Sequence, residues 1–327
     1  MRFLRSLGRR TLEESGSDTI AVTNCDHWFG YVLAWSLLEI RHDKNYNVRV
    51  LTRTRNKYTD DLDKKGAEIF EIDYGRSETL ETALGHVGWL VVVPEADRDR
   101  VKWAKTLADA IKKIDVSNVI TLSMLGAGDS KTRTLADFRD IEKAVEGSAK
   151  NWVTLRPSFL NQSFFVFERK IRESKQLTIN AGEDARWSPV DLDDVIYVLS
   201  KFAFDNNGLL RPVLEEEHQH KIYTLTGPDL VTGPLLADDI NSAIKAKPRT
   251  IKFMEVTREA LEDYLLGRGN QRDRDLFRSL DRRDFHLDYP KPGKLNQIAA
   301  SLILDFFEYV NTGKAGYLSG DFKDITN

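Results

Sequence analysis

Short runs of β-branched residues alternate with longer stretches of helical periodicity along the first half of this chain. Residues 19–22 and 89–93 are apolar at nearly every position, as expected of parallel strands that are buried on both faces. Between such runs, apolar residues recur three and four positions apart, which is typical of helices that bury one face. The pattern predicts strands at residues 19–22, 48–52, 67–72, 89–93, 119–123 and 152–156, and helices at residues 28–41, 58–65, 77–84, 99–114 and 135–148.

This alternation of strands and helices predicts an α/β fold in which a parallel sheet carries helices on both faces. Because crossovers between parallel strands are right-handed, the expected architecture is a doubly wound, Rossmann-type sheet. Ligands of such sheets bind beyond the carboxyl ends of the strands, near the point where the strand order reverses. We therefore expect a ligand site among the residues that follow the strands, namely Thr23, residues 52–55, Val93, Pro94 and residues 123–126.

The second half of the chain has a less regular pattern. It predicts a strand at residues 221–225 and helices at residues 191–204, 235–246, 258–266 and 295–312, with a densely charged surface segment at residues 268–283. Ser77 and Asp191 are expected to cap their helices, because short polar side chains accept hydrogen bonds from the free N–H groups of a first turn. We divide the chain into an N-terminal extension (1–17), a Rossmann domain (18–158) and a smaller C-terminal α+β lobe (159–327), with residues 189–204 returning to the core.

The composition narrows the class of protein and of partner. The chain has 327 residues, of which 41% are hydrophobic and 30% charged, and its 48 basic and 51 acidic residues give a formal net charge of -3. Direct nucleic-acid binding is not expected, because it needs a clustered basic excess. No apolar run approaches the roughly 18–20 residues that span a bilayer, so no membrane partner is expected either.

The cysteine count and the N-terminus bear on location. The single cysteine, Cys25, cannot form an internal disulfide, which fits a reducing compartment. Residues 1–17 are rich in arginine, as mitochondrial presequences are, but Glu13, Glu14 and Asp18 oppose that interpretation because presequences are poor in acids. We expect a cytoplasmic location, with the nucleus as an alternative ahead of the mitochondrion.

Residues 23–30 read TNCDHWFG and resemble the T-G-A-T-G-x-x-G loop of the NmrA-like branch of the atypical short-chain dehydrogenase/reductase superfamily. Five further segments resemble motifs of that family in the same order: VRVLTR at 48–53, GAEIFEID at 66–73, SMLGA at 123–127, LRPSFLN at 155–161 and YTLTGP at 223–228. The resemblance covers residues 18 to 265. It implies an NAD(P)-binding Rossmann fold, in a family that includes NADP(H)-sensing regulators with protein partners and reductases of quinones, imines or carbonyl compounds.

The glycines of this loop allow a tight turn, a close approach of the backbone to a pyrophosphate and close helix–strand packing. Aligned on its last glycine, Gly30, this chain has Asn24 at the first glycine position and His27 at the second. Asn tolerates a positive φ, so Asn24 is expected to keep the turn. The His27 side chain is expected to crowd the pyrophosphate, and Trp28 and Phe29 to fill more of the cleft. Two interpretations stay open, a retained or altered dinucleotide site and a closed pocket.

Two arginines, Arg53 and Arg55, follow the second strand. NAD-binding Rossmann proteins carry an acid here that binds the ribose 2′-hydroxyl, whereas a guanidinium suits the 2′-phosphate of NADP(H). The resemblance places Arg53 at a matching family position, so we expect NADP(H) as the cofactor if a dinucleotide binds. The expected cofactor contacts are Thr23, Asn24, His27, Trp28, Phe29, Gly30, Arg53, Arg55, Val93, Pro94 and Ser123.

The usual proton-transfer groups are missing from their expected positions. Short-chain dehydrogenases use Tyr-x-x-x-Lys on the helix after the fifth strand, but the match here, Tyr197 to Lys201, falls after the sixth and is taken as coincidence. The NmrA-like pattern K-x-x-[IV]-E has Phe138 in place of the lysine. Ser123, at the end of the fifth strand, remains as a weak catalytic candidate. No His, Cys or acidic cluster has the sequence spacing of a metal site, and the segment around His218 favours a surface loop.

The sequence thus favours an NmrA-like protein that is non-catalytic or weakly catalytic, senses NADP(H) and regulates a protein partner. The first alternative is an NADPH-dependent reductase of quinone, imine or carbonyl substrates, since hydride transfer to an electrophilic acceptor needs no protein acid. The second alternative is an interaction protein whose nucleotide pocket is closed.

Overall fold

The computed structural model describes residues 18–40, 46–244, 250–268 and 295–326. Its strands are β1 (Thr19–Val22), β2 (Asn47–Thr52), β3 (Glu68–Glu71), β4 (Trp89–Val92), β5 (Asn118–Leu122), β6 (Asn151–Pro157), β7 (Gln176–Ile179), β8 (Lys221–Leu225) and β9 (Lys252–Glu255). The central sheet has the order β3-β2-β1-β4-β5-β6-β8, and all its neighbouring strands are parallel. Strands β7 and β9 pair in a separate parallel ribbon.

The helices follow the strands in the order that a doubly wound fold requires. They are α1 (Trp28–Ile40), α2 (Lys57–Lys64), α3 (Ser77–Leu84), α4 (Arg100–Ile114), α5 (Arg133–Glu146), α6 (Glu168–Ser174), α7 (Leu192–Ala203), α8 (Gly233–Ala243), α9 (Arg258–Leu265), α10 (Gln297–Asn311) and α11 (Asp321–Thr326). Within the described ranges, no helix is both long and apolar enough to cross a membrane.

Both faces of the central sheet are covered because successive residues of a strand point to opposite sides. Ile20 and Val22 of β1 pack in one apolar cluster with α1 and α7. Ala21, between them, packs in a second cluster with α3 and α4. A third cluster joins Phe159 and Trp187 to α10. The burial of β1 on both faces explains why its sequence is apolar throughout rather than alternating.

The predicted fold class, a Rossmann-type parallel sheet with helices on both faces, is confirmed. The predicted strands and helices are present, with ends that differ by up to three residues from the predicted ones. Several predicted stretches lie outside the described residues, namely 1–17, residue 41, 245–246 and 269–283. The division of the chain at residue 158 stays a prediction, and α7 and β8, which follow that point, pack with the main sheet.

One of the two predicted helix caps is wrong. Asp191 caps α7, since its side chain accepts a hydrogen bond from the Asp193 N–H. Ser77 is instead the first residue of α3, and the cap position is taken by Arg76, whose side chain makes no capping hydrogen bond. The Arg76 N–H donates to the Asp73 carbonyl at 2.9 Å in a turn that leads directly into α3. The helix therefore begins at Ser77 itself, one residue earlier than a capping Ser77 predicts.

The sequence pattern missed the shortest elements of the second half. Strands β7 and β9 have four residues each and, unlike the equally short β1, β3 and β4, they lie outside the regular strand–helix alternation of the first half. Helices α6 and α11, with seven and six residues, were missed for the same reason.

Candidate functional site

The strand order reverses at β1, which pairs with β2 on one side and β4 on the other. The loops that follow β1 and β4 therefore lie side by side at the carboxyl edge of the sheet. Such a switch point is where doubly wound folds hold their ligands. The predicted site residues Thr23, Asn24, Val93 and Pro94 meet here.

Hydrogen bonds fasten these two loops together. The Thr23 hydroxyl oxygen accepts from the Val93 N–H at 2.8 Å and donates to the Val93 carbonyl at 3.0 Å. The Asn24 side-chain nitrogen donates to the Pro94 carbonyl at 2.9 Å. Thr23 is fully buried and Asn24 nearly so. These hydrogen bonds thus hold the loop after β1 against the loop after β4 at the base of the site.

The turn from β1 into α1 has the positive φ at Asn24 that was predicted from the sequence. Asn24 has a φ of +60°, in the left-handed region that asparagine tolerates better than other residues with a side chain. A Cβ on Gly30 would lie 2.3 Å from the carbonyl oxygen of Asn24 and 2.7 Å from that of Thr23. Only glycine therefore lets α1 begin this close to β1.

Three of the five residues between Asn24 and Gly30, namely Cys25, Trp28 and Phe29, pack in or against the apolar core. Cys25 is fully buried, its thiol lies 3.3 Å from the Val22 carbonyl, and burial raises the pKa of the Cys25 thiol well above its ordinary value. Trp28 and Phe29 are partly buried and pack against the core cluster between α1 and the sheet. Both rings therefore have a partner in the core, and the expectation that they fill the cleft stays a prediction.

Three ionisable side chains, Asp26, His27 and Glu95, lie together where the β1 and β4 loops meet. One potential ligand atom of each lies within 4.8 Å of those of the other two. His27 Nδ1 is 3.6 Å from Asp26 Oδ1, which is longer than a hydrogen bond. Glu95 is only 4% exposed, and its Oε1 accepts from the Tyr74 hydroxyl at 3.2 Å.

Several polar atoms at this junction have no hydrogen-bond partner among the described residues. They are buried, and they comprise Asn24 Oδ1, Asp26 Oδ1, His27 Nδ1 and Glu95 Oε2. A buried polar atom without a partner costs free energy, so a cluster of them marks a place that a ligand or a cation can stabilise.

The electrostatics of the cluster are dominated by its two carboxylates. Burial and then the charge of Asp26 raise the pKa of Glu95 to about 7, although His27 and Arg53 act in the opposite direction. The Asp26 carboxylate raises the pKa of His27 above its ordinary value, against the effect of burial. Negative charge at this place works against a pyrophosphate unless a proton or another cation compensates it.

The sequence predicted His27 as a site residue but not Asp26 or Glu95. These two residues follow different strands, and only the pairing of β1 with β4 brings them together. The signal available in the sequence was that each comes shortly after a strand at the expected switch point.

Arg53 lies beside this cluster at the end of β2. Its guanidinium carbon is 4.1 Å from the ring centroid of Trp103, and its Nη1 is 3.5 Å from Asp97 Oδ2. Trp103 stacks in turn on Tyr74, with centroids 5.1 Å apart. The Arg53 side chain is 35% exposed, so part of it is accessible to a ligand at the switch point.

Arg55, the second predicted arginine, has other contacts. Its guanidinium lies 3.0 Å from Asp63 and 3.5 Å from Glu71, at the surface formed by α2 and β3. Two carboxylates already compensate its charge, so Arg53 is the better placed of the two arginines for an added phosphate.

Ser123 does not face an open site. Its hydroxyl donates to Glu142 Oε1 at 2.5 Å. The Glu142 side chain is fully buried and accepts from Arg156 at 2.7 and 2.6 Å and from Arg139 at 2.9 Å. The hydroxyl thus belongs to an ion-pair network between β5, β6 and α5, and its catalytic role stays a prediction without support from its contacts.

Phe138 is buried on α5, where the resemblance implies a lysine. The guanidinium carbon of Arg100 lies 5.0 Å from the Phe138 ring centroid. Arg100 is itself buried, lies 3.1 Å from Asp137 and donates to the Thr134 carbonyl at 2.6 Å. This guanidinium is therefore held by other groups.

The Tyr197 and Lys201 pair lies away from the switch point. Both residues are on α7, with Lys201 Nζ 5.1 Å from the Tyr197 ring centroid, and the ring approaches Phe322 of α11. Helix α7 covers the opposite face of the sheet from α5, on which the usual motif stands.

Helix α10 begins at the same edge of the sheet. Its capping residue, Asn296, accepts from the Ala299 N–H at 2.9 Å and donates to the Ala96 carbonyl at 2.7 Å. Ala96 directly follows Glu95 of the cluster. Between α10 and the loops before α4 and α5 lies a cavity of about 640 Å³, lined in part by Arg98, Lys131, Arg133, Gln297 and Ser301. That volume is typical of small-molecule sites.

Part of this chain is similar to an NAD(P)H-binding family. Residues 36–187 match the model of a family described as NAD(P)H-binding, and the match begins within α1, after the loop of residues 23–30. An NAD(P)H azoreductase from Xenophilus azovorans is 24% identical over 210 residues, which cover 64% of this chain and 68% of that protein.

Solved structures of low sequence identity share the fold. The triphenylmethane reductase of Citrobacter sp., complexed with NADP(H), gives a TM-score of 0.71 at 17% identity over 94% of this chain and 95% of that one. An NADPH-dependent quinone oxidoreductase from Escherichia coli, complexed with NADPH, gives 0.70 at 16% identity over 94% of each chain. The fold of this chain is thus one that NAD(P)-binding reductases use.

Proposed function

We propose that this chain binds an NAD(P)(H) dinucleotide at the switch point and acts as an NADP(H)-sensing regulator with weak or no catalysis of its own. The observation that carries the proposal is a contrast between the loop after β1 and the positions where the family has catalytic residues. Two of the three glycine roles of the dinucleotide loop are kept by Asn24 and Gly30, with His27 at the remaining position, whereas the residues at the catalytic positions make structural contacts.

The loop after β1 supports binding. Asn24 at φ +60° and Gly30 against β1 reproduce the roles of two glycines, so the N-terminus of α1 lies next to the switch point. Helix N-termini attract phosphate groups through their free N–H groups and the helix dipole. The match of residues 36–187 to an NAD(P)H-binding family supports the same ligand.

The catalytic positions support a role other than acid–base chemistry. Phe138 replaces the lysine that the resemblance implies, and Ser123 is bonded to Glu142. The contact from Asn296 to Ala96 gives a route by which a bound nucleotide would be sensed by α10, because it joins that helix to the loop beside Glu95.

The cofactor that fits best is NADP(H). Arg53 is partly exposed at the end of β2, where a guanidinium suits a 2′-phosphate. Calorimetric titration with NADPH, NADP⁺, NADH and NAD⁺ tests the proposal. We expect micromolar binding of the phosphorylated pair and a change in hydrogen exchange of residues 295–312 on binding. An absence of binding at millimolar concentration would favour the second alternative, a pocket closed by His27, Trp28 and Phe29.

A second candidate function is that of an NADPH-dependent reductase. Its support is that the relatives carry the names azoreductase, triphenylmethane reductase and quinone oxidoreductase. Azo, quinone and cationic dye acceptors are electrophilic, so hydride transfer to them does not depend on the residues missing here. Purified protein with NADPH and one acceptor of each class separates the two functions, because steady turnover would establish the reductase and rule out the non-catalytic role.

A further inference from the structure

We propose that Asp26, His27 and Glu95 bind a divalent transition-metal ion of the Zn²⁺ class where the β1 and β4 loops meet. This inference goes beyond dinucleotide binding, and it is argued from the side chains of the cluster alone. The chemistry is that of two carboxylates and one imidazole, a donor set that suits such ions.

The distances fit a shared ion. Ligands bound to Zn²⁺ at about 2.0–2.2 Å stand roughly 3.3 Å apart in tetrahedral geometry. His27 Nδ1 and Asp26 Oδ1 are 3.6 Å apart, and the three potential ligand atoms lie within 4.8 Å of one another. We expect side-chain rotation on ion binding to bring the three atoms into one coordination sphere.

Polar atoms of all three side chains lack hydrogen-bond partners, which favours a bound cation. Glu95 is 4% exposed, and its Oε2 has no hydrogen-bond partner in the described part of the chain. The Asp26 Oδ1 and His27 Nδ1 atoms also have no hydrogen-bond partner there, with the Asp26 side chain 6% and the His27 side chain 41% exposed. A buried carboxylate oxygen is expensive unless it is paired or coordinates a metal.

The surroundings also orient the ligands. The Tyr74 hydroxyl donates to Glu95 Oε1 at 3.2 Å, which fixes the carboxylate and leaves Oε2 for an ion. Tyr74 is held in turn by stacking on Trp103. Supporting hydrogen bonds of this kind are the usual partners of metal ligands in proteins. Three protein ligands leave at least one coordination position for water or an anion.

A second group of similar residue types, Glu215, Glu217 and His218, provides an internal comparison. Its ligand atoms are equally close, but its carboxylates are solvent-exposed, with Glu217 76% exposed. Glu215 already pairs with Arg211 at 2.6 Å, and His218 Nδ1 shares a hydrogen bond with the Tyr223 hydroxyl. Because these carboxylates are solvated or paired, a bound ion would stabilise them less than it would stabilise Glu95.

The test is a calorimetric titration of metal-stripped full-length protein with Zn²⁺ and, separately, with Mg²⁺, in the absence of nucleotide. We expect one Zn²⁺ per chain and no Mg²⁺ binding, because an imidazole ligand disfavours Mg²⁺. Glu95→Gln and His27→Ala should weaken Zn²⁺ binding by about 100-fold or more, which is the upper range for loss of even a supporting group. Glu217→Gln, the matched control, should bind Zn²⁺ like the wild type.

Two results would overturn the proposal. One is the absence of Zn²⁺ binding to the wild-type chain. The other is binding that survives Glu95→Gln and His27→Ala, particularly if it is lost in Glu217→Gln. Circular dichroism spectra check that the variants fold, and Glu95→Gln is suited to this because an amide oxygen can still accept from Tyr74. Because no nucleotide is present, failure of dinucleotide binding leaves this result unaffected.

Discussion

The side-chain amide of Asn24 donates to the carbonyl of Pro94 at 2.9 Å, while the Asn24 backbone stands at a φ of +60°. One residue thereby makes the turn after β1 and fastens it to the loop after β4. A glycine would allow the same turn but could not make this bond. The replacement of the first family glycine by asparagine therefore adds a contact across the switch point, at the cost of a side chain beside the site.

Gly30→Ala should destabilise the fold. The added Cβ would meet the Asn24 carbonyl oxygen at 2.3 Å, and this oxygen belongs to the backbone, so it cannot swing aside. Overpacking of this kind costs about 1–3 kcal/mol, and the rigid neighbours place the expected loss at the upper end. Urea unfolding measures it.

The control for Gly30→Ala is Gly147→Ala. Gly147 lies at the C-terminus of α5 with a φ of -83°, and its Cβ would meet carbonyl oxygens at 3.8 and 4.0 Å. It should be close to neutral. Equal free energies of unfolding for the two variants would show that α1 does not depend on this close approach.

Arg53→Ala should weaken NADPH binding by about tenfold or more while leaving NADH affinity unchanged, because a charge-assisted hydrogen bond to the 2′-phosphate is lost. Arg55→Ala is the matched control, since Arg55 lies two residues further along the chain and is paired with Asp63 and Glu71. Its effect should stay within about twofold, as expected for a surface charge. If Arg53→Ala lowered the affinities for NADPH and NADH equally, or lowered NADPH affinity no more than Arg55→Ala, Arg53 would not contact the phosphate.

The central sheet was predictable because its strands are strongly apolar and regularly spaced. Residues 19–22 and 89–92 are buried on both faces, and this environment leaves a continuous apolar run in the sequence. The β7 and β9 ribbon was not predictable, because its four-residue strands lie in the second half of the chain, where no regular strand–helix alternation supports so short a pattern.

The candidate site was predictable only in part, for a related reason. Thr23 and Asn24 could be placed from the turn after β1, because that geometry is local to the chain. The approach of Glu95 to Asp26 depends on the pairing of β1 with β4, and no local pattern records it. The partners of Ser123 and Phe138 could not be predicted for the same reason. Glu142 meets Ser123 where α5 packs near the end of β5, and Arg100 meets Phe138 where α4 packs on α5.

Asn296→Asp should separate the two roles of Asn296. An aspartate still accepts from the Ala299 N–H and so keeps the cap of α10, but it cannot donate to the Ala96 carbonyl. We expect α10 to keep its hydrogen-exchange protection while amides of the β4 loop exchange faster. Asn296→Ala, the companion variant, should lose both contacts and about 1 kcal/mol of stability. A β4 loop as protected in Asn296→Asp as in the wild type would show that the Ala96 contact does not hold it.

Glu142→Gln should destabilise the fold in a pH-dependent way. Burial opposes ionisation of Glu142, but hydrogen bonds from Arg156 and Ser123 outweigh it and lower the pKa of this carboxyl. A group whose pKa is lower in the folded state contributes stability above its unfolded pKa of about 4.3, and that contribution is lost as the pH falls through the folded pKa. Breaking a buried ion pair costs about 3–5 kcal/mol at neutral pH.

The measurement for Glu142 is urea unfolding of wild type and Glu142→Gln between pH 7 and pH 3. The gap in free energy of unfolding should be largest at pH 7 and should shrink below about pH 4, because the Glu142 carboxyl of the unfolded chain takes a proton there while the folded one, with its lower pKa, is still ionised. Glu146→Gln, the control, removes a carboxylate that pairs with Arg139 at 2.6 Å but is 20% exposed. It should cost at most about 1 kcal/mol, because exposed pairs contribute little. A gap for Glu142→Gln that stays constant over this pH range would mean that the Glu142 charge does not stabilise the junction of β5, β6 and α5.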